Sequence, residues 1–163
     1  MEKKKVLFVC FGNICRSPAA EAVMNKLISD RNLENLVEVD SAGLVDYHRG
    51  ETADPRMIEA AATRGFHLKG NARQFDFKKD FDAFDYIITM DDSNLEDIKA
   101  LDFDNTHVDK IYKMVGFSKR LVVPEVPDPY FGGRKGFDTV LDILEDAADG
   151  LLDKIENDII PKE

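Results

Sequence analysis

One stretch constrains what this chain can fold into more than any other: Val6-Leu7-Phe8-Val9-Cys10-Phe11-Gly12-Asn13-Ile14-Cys15-Arg16-Ser17-Pro18. Val6 to Val9 follow a lysine cluster as an unbroken apolar, largely β-favouring run, the pattern of a buried parallel strand. Ser17 then Pro18 signals a helix start, with serine as N-cap and proline at the first helical position, where its missing N–H costs nothing. Between strand and helix lie Gly12 and Asn13, the residue types that most readily adopt positive φ. A strand–loop–helix of this composition folds its backbone N–H groups into a concave nest aimed at the helix N-terminus. Its natural ligand is a phosphate or similar oxyanion, held by Phe11, Gly12, Asn13, Ile14, Cys15, Arg16 and Ser17.

The same loop carries Cys10 at its entrance and Arg16 at its far end, with five residues between them. A thiol beside N–H dipoles and a helix N-terminus ionises readily. Arginine grips two oxygens of one phosphate in a planar fork that lysine cannot form. The stretch therefore brings a candidate nucleophile, a phosphate cradle and a bidentate clamp together. Taken alone, the two residues would read as a buried strand-end thiol and a solvated helix cation. The strand before, Gly-Asn inside and Ser-Pro after favour the catalytic reading.

The remainder alternates strand and helix. Pro18 to Asn32 is expected to be a helix with Ala20, Val23, Leu27 and Ile28 facing a core, and Val37 to Ser41 a second strand stopped by Ala42-Gly43. Asp54-Pro55 opens a helix that Gly65 closes, with Ile58, Ala61 and Ala62 on one face. Tyr86 to Met90 is a third strand, and Asp91 caps a helix through about Leu101. Lys110 to Val115 is a weaker fourth strand, followed by a proline- and glycine-rich loop from Val123 to Gly136. The last helix starts near Phe137 and keeps Val140, Leu141, Leu144, Ala148, Leu151, Leu152, Ile155 and Ile159 at helical spacing before Pro161. Gly150 inside it costs about 1 kcal/mol relative to alanine. The pattern predicts an α/β fold in a single domain over residues 1–163, a parallel sheet with helices on both faces. Ligands of such sheets bind beyond the C-terminal strand ends, where Cys10 and Ser41 both fall.

Charge narrows the partners. Lys+Arg 22 against Asp+Glu 32 gives −10, which argues against nucleic acid and requires any phosphorylated ligand to be held by a local positive site. No stretch reaches membrane-spanning length, so no membrane partner is expected. The apolar run after Lys3-Lys4-Lys5 is too short for a secretory signal, and two cysteines do not suggest a disulfide framework. The expected location is cytoplasmic.

The run CFGNICRSPAAE resembles the signature of the low-molecular-weight protein tyrosine phosphatases: Val or Ile, Cys, five residues, Arg, Ser. The likeness continues through Asp40-Ser41-Ala42-Gly43, Ala72-Arg73-Gln74 and Asp128-Pro129-Tyr130. It implies a four-stranded parallel sheet with flanking helices, in agreement with the strand count above. It also implies hydrolysis of phosphotyrosine through a phosphocysteine, with Cys10 as nucleophile, Arg16 as clamp and Asp128 as general acid and base. Substrates would be phosphotyrosine-containing proteins or aryl phosphates, with no cofactor, and the chain a monomer or weak dimer.

Asp128 lies between two prolines that restrict the backbone, so its carboxyl can be held with little entropy left to lose. The plainer reading is a turn aspartate beside proline; the resemblance supports the general acid. Tyr47 and Tyr130 are candidate aromatic walls for a substrate ring, or ordinary loop tyrosines. The family often has tryptophan near Tyr47, which implies a different substrate preference here. The family's tandem tyrosines stand here as Tyr130-Phe131, removing one possible phosphorylation site. Asn13, Ser17 and Ser41 resemble the polar network that supports the phosphate loop, with Ser17 donating to the Cys10 thiolate; the alternatives are a turn asparagine, a plain N-cap and a strand-end serine. Gly70 departs from the family, which commonly has a histidine there partnering the glutamate matched by Glu21, so the network is expected to be weakened. Cys15 is either a small packing residue or, as the resemblance implies, a thiol that traps oxidised Cys10 as a disulfide.

Other motifs fail. No Gly-rich loop ends in Gly-Lys-Ser/Thr. Asp102-Phe103-Asp104-Asn105-Thr106-His107 begins like a calcium loop but lacks its glycine and closing glutamate, and His48, His67 and His107 have no paired spacing, so no metal is expected. Arsenate reductases of this fold need further cysteines, and none follows Cys15. Protein-arginine phosphatases commonly carry threonine where this chain has Ile14. A redox or phosphate sensor that binds without turnover is the non-enzymatic alternative.

Overall fold

Five consecutive buried residues, Val6 to Cys10, require a strand with neighbours on both edges and cover on both faces. The computed structural model, which describes residues 2–130 and 132–159, provides both. β1 (Lys4–Cys10) pairs in parallel with β2 (Val37–Gly43) on one edge and β3 (Tyr86–Thr89) on the other. β3 pairs in parallel with β4 (Ile111–Lys113), giving the order β2-β1-β3-β4. The winding direction reverses at β1, so a crevice opens beyond its C-terminal end, where Cys10 stands opposite Gly43.

Alternation along β1 divides the core. Val6 and Phe8 pack with α1 (Arg16–Asp30), α2 (Pro55–Ala62) and α5 (Arg134–Ile159) on one face. Leu7 and Val9 pack on the other with Phe81 of the one-turn α3 (Asp80–Ala83) and Ile98 of α4 (Asp92–Leu101). No helix among the described residues is long and apolar enough to cross a membrane.

Several boundaries differ from the sequence expectation. α1 begins at Arg16 rather than Pro18, so Ser17 is not the N-cap; that position falls to Cys15, which makes no side-chain cap. Pro18 is still tolerated, because the first four N–H groups of a helix have no intrahelical partner. α1 ends at Asp30, and Asn32 turns the chain at φ 58. The buried face of α2 is Met57, Ala60 and Ala61, leaving Ile58 and Ala62 exposed, because docking against α5 rotates the short helix from the expected face. Asp54 caps α2 as expected, its side chain accepting from the Arg56 N–H, and Gly65 turns the chain beyond it at φ 83. β4 has three residues between 3₁₀ turns at Val108–Lys110 and Met114–Phe117, and α3 has no counterpart in the sequence reading.

α5 starts at Arg134, one turn before Phe137, whose complete burial anchors that end. Its expected apolar positions from Val140 to Ile155 are buried and Ile159 is half-buried; Pro161 lies outside the described residues. Gly150 has a reason to be there: a Cβ would stand 1.8 Å from the Phe117 carbonyl oxygen.

Candidate active site

The loop between β1 and α1 is shaped by a few specific residues. Asn13 has φ 59, while Gly12 does not adopt positive φ, contrary to expectation. A Cβ at 12 would crowd the His48 ring instead, meeting its Cδ2 at 3.1 Å. Gly43, ending β2, lies so close that its Cβ would stand 2.9 Å from the Gly12 carbonyl carbon. The carbonyls of Cys10 and Phe11 accept from Leu44, that of Phe11 also from Val45, and that of Ile14 from Asp54. A trans peptide points its N–H opposite its carbonyl, so these bonds turn the N–H groups of Phe11, Gly12 and Cys15 toward the concave side.

The Asn13 side chain ties the loop to the sheet. Its Nδ2 donates to Ser17 Oγ at 2.8 Å and Ser41 Oγ at 3.0 Å, and its Oδ1 accepts from the Arg73 N–H at 3.0 Å. Ser41 in turn donates to Glu21 Oε1 at 2.6 Å, and burial raises the Glu21 carboxyl above its usual range. The network thus links Asn13, Ser17, Ser41, Glu21 and Arg73 with no histidine. Gly70 sits at φ 79 with open space around the place a side chain would take.

Ser17 Oγ lies 3.0 Å from Cys10 Sγ. That oxygen accepts from Asn13, so its own proton is shared between the sulfur and the Ala42 carbonyl at 3.5 Å. The two buried cysteines are free and sit differently. Burial, then Asp54, pushes the Cys15 thiol well up, and Cys15 Sγ donates to Asp54 Oδ2 at 3.8 Å. Cys15 therefore stays protonated where Cys10 has a hydroxyl donor beside it.

Arg16 is 2 % exposed. Its Nη1 donates to Asp91 Oδ2 at 2.6 Å and to the Val126 carbonyl at 3.0 Å, and its Nη2 lies 3.6 Å from Asp128 Oδ2. Burial opposes its charge, but Cys10, Asp91 and Asp128 outweigh that and raise its pKa. Asp128 stands half-exposed at the rim, one oxygen accepting from the Tyr130 N–H at 3.0 Å.

Cys10, Cys15, Arg16 and Asp128 all face one cleft of about 270 Å³. Phe11, Tyr47, His48 and Tyr130 wall it, with Ile14 between them. Tyr47 is largely exposed and meets Phe11 edge-on at 5.9 Å; Tyr130 approaches His48 at 6.2 Å. Phe131 lies outside the described residues.

The site also takes in His48, Asp91 and Arg73, to which no sequence motif assigns a role. His48 has no metal-ligand spacing, yet it walls the cleft, its Nδ1 2.7 Å from Glu51 Oε2. Asp91 carried a signal only as helix cap; its place just past β3, beside the end of β1, is what brings it to Arg16. Arg73 contributes its backbone, which no side-chain pattern reveals. Among the described residues no group of three or more His, Cys, Asp or Glu could hold a metal ion.

The family model for low molecular weight phosphotyrosine protein phosphatase matches residues 5–160. The low molecular weight phosphotyrosine protein phosphatase of Gallus gallus is 42% identical over 142 residues, 85% of this chain and 87% of its own. A protein tyrosine phosphatase from Entamoeba histolytica, crystallised with Hepes in the active site, superposes with TM-score 0.92 at 45% identity, covering 97% of this chain and 100% of its own. The crystal structure of a Drosophila arginine phosphatase superposes with TM-score 0.85 at 33% identity, covering 92% and 96%. By the match along almost its whole length, the chain belongs to the low molecular weight phosphotyrosine protein phosphatase family.

Proposed function

We propose that this chain hydrolyses phosphotyrosine in proteins through a covalent phosphocysteine. The observation that supports it is the convergence on one small cleft of a thiol, a buried arginine and a carboxyl group. The Cys10 thiolate attacks phosphorus in line, forming the S–P bond as the P–O bond to the tyrosyl ring breaks. Protonated Asp128 gives its proton to the departing oxygen. The loop N–H groups and Arg16 bind the equatorial oxygens, and this preorganised charge supplies most of the rate. Since Nη1 is spent on Asp91 and Val126, the Nε–Nη2 edge of Arg16 is the fork for two of those oxygens.

In the second step the Asp128 carboxylate takes a proton from water, whose oxygen attacks phosphorus while the S–P bond breaks. Ser17 donates to the sulfur as it leaves, which the 3.0 Å approach of its hydroxyl supports. Phe11, Tyr47 and Tyr130 flank the aryl ring. The acidic surface favours basic protein partners.

Phosphoarginine is the second reading, because one structural neighbour is an arginine phosphatase. Aliphatic Ile14 and the aromatic walls of the cleft favour the tyrosine ester. The test is hydrolysis of a phosphotyrosine peptide against its phosphoarginine counterpart, with rapid-quench trapping of phosphorus on Cys10. Faster release from phosphotyrosine and a labelled Cys10 are expected. Robust turnover by Cys10→Ser would remove the mechanism, and phosphate binding without turnover would make the chain a sensor.

A further inference from the structure

Asp54 does more than cap α2. Its N–H donates to the Ile14 carbonyl at 2.8 Å and its Oδ2 accepts from Cys15 at 3.8 Å, so it is fastened to the outer wall of the loop. Arg56 lays its guanidinium on that buried carboxylate, Nε to Oδ1 at 3.1 Å and Nη2 to Oδ2 at 2.7 Å. These bonds from Arg56, before any other cause, hold the Asp54 carboxyl below its usual range.

A helix-capping pair would need nothing else. Yet the same Nη2 donates to the Tyr130 carbonyl at 2.8 Å. The guanidinium carbon sits 4.8 Å from the ring centre of fully buried Phe137 and 5.4 Å from that of Tyr130. Tyr130 gives its own N–H to Asp128. The Asp128 loop is thus tied at two ends. Val126 anchors its start, through its N–H to the Met90 carbonyl and its carbonyl to Arg16, and Arg56 anchors its far end at Tyr130. Half-exposed Asp128 lies between them and is not held by burial.

We infer that Arg56 is the positioning residue that sets the Asp128 carboxyl against the leaving oxygen, linking the phosphate loop to the general-acid loop through a single planar fork. The inference rests on the general-acid reading of Asp128. It separates two duties: Arg16 and the nest bind phosphate, and Arg56 decides how well the leaving group is protonated. Lysine has the charge but no fork, and loses both the Nε contact to Asp54 Oδ1 and the flat face laid on Phe137 and Tyr130.

The test uses aryl phosphates whose phenols span a range of acidity, with kcat/KM reporting the step that breaks the P–O bond. Asp128→Asn is expected to lose most on the least acidic phenols. Arg56→Ala should show the same trend, losing about 10–100-fold at that end, while competitive inhibition by inorganic phosphate holds within about twofold. Arg56→Lys should not restore the parent profile, and Arg56→Ala should cost nothing further in the Asp128→Asn background. A loss equal across all phenols, no loss at all, or full additivity with Asp128→Asn overturns the inference. Should Arg56→Ala also lose phosphate binding, Arg56→Lys decides: a steeper dependence on the phenol supports the role, and parent behaviour overturns it. Should Asp128→Asn itself show no such dependence, the general-acid reading falls and the inference with it.

Discussion

The buried charge on Arg16 gives the most direct test of how this site is built. Its nearest counter-charge is Asp91 at 2.6 Å, with the Val126 carbonyl at 3.0 Å and Asp128 at 3.6 Å. Asp91 also caps α4, its Oδ1 accepting from the Asn94 N–H at 2.7 Å. Asparagine caps a helix as well as aspartate, so Asp91→Asn removes the charge and keeps the cap. Breaking a buried ion pair by deleting one partner costs about 3–5 kcal/mol. Asp91 is 18% exposed and Arg16 keeps the Val126 carbonyl as acceptor and the Asp128 charge nearby, which reduces the expected loss to about 2–3 kcal/mol. For a chain of this length each kcal/mol moves the melting temperature by about 2–4 °C, so the variant should melt about 4–12 °C lower. Bound phosphate supplies the missing negative charge, so the variant should gain more from added phosphate than the parent does. Thermal unfolding with and without inorganic phosphate, at matched ionic strength, measures both. A variant melting within about 1 °C of the parent, or gaining no more from phosphate, would refute the reasoning.

Three further outcomes follow from the structure. His107 contacts Asp102 at 2.9 Å and Asp82 at 3.1 Å through its two ring nitrogens, and the Asp102 hydrogen bond leads in raising its pKa. With the folded value raised, its contribution is full below the unfolded value of about 6.5 and fades as pH rises through the folded one; urea unfolding across that window should lose this slope in His107→Gln. Gly150→Ala gains about 1 kcal/mol of helix propensity, but its Cβ would overlap the Phe117 carbonyl oxygen, so a net loss of about 1–3 kcal/mol is expected by denaturant titration. Burial and Asp54 keep Cys15 protonated, so after peroxide converts Cys10 to the sulfenic acid, attack by the Cys15 thiolate with loss of hydroxide should quicken about tenfold per pH unit near neutrality. A flat rate of disulfide formation, followed by mass spectrometry, would contradict that placement of Cys15.

Where the sequence reading and the structure part, the cause is contact with distant chain. Serine before proline is a local signal for a helix cap at Ser17; instead its hydroxyl meets Cys10 and Asn13, and the helix begins at Arg16, two residues before Pro18. Spacing alone leaves the face of α2 open because eight residues make little more than two turns, and packing against α5 chose Met57 over Ile58. Gly12 suggests a positive φ from its type alone, whereas in the fold it takes no positive φ and lies close against the His48 ring. Open space remains at Gly70, and the Asn13 side-chain carbonyl oxygen takes its hydrogen bond from the backbone N–H of Arg73, sixty residues along the chain.

Local composition determined the parallel strand, the tight loop after it, the helix beyond and the family they belong to, because each depends on residues within a dozen positions. It also placed Cys10 and Arg16 at the two ends of that loop. Only the tertiary structure decided what neutralises Arg16, what ties down Asn13 and what secures the Asp128 loop. Those partners lie 75, 60 and 74 residues apart in the chain. A buried charge or polar atom takes its partner from whichever strand end or helix packing brings near, and that choice is made by the sheet order rather than by any local run of residues.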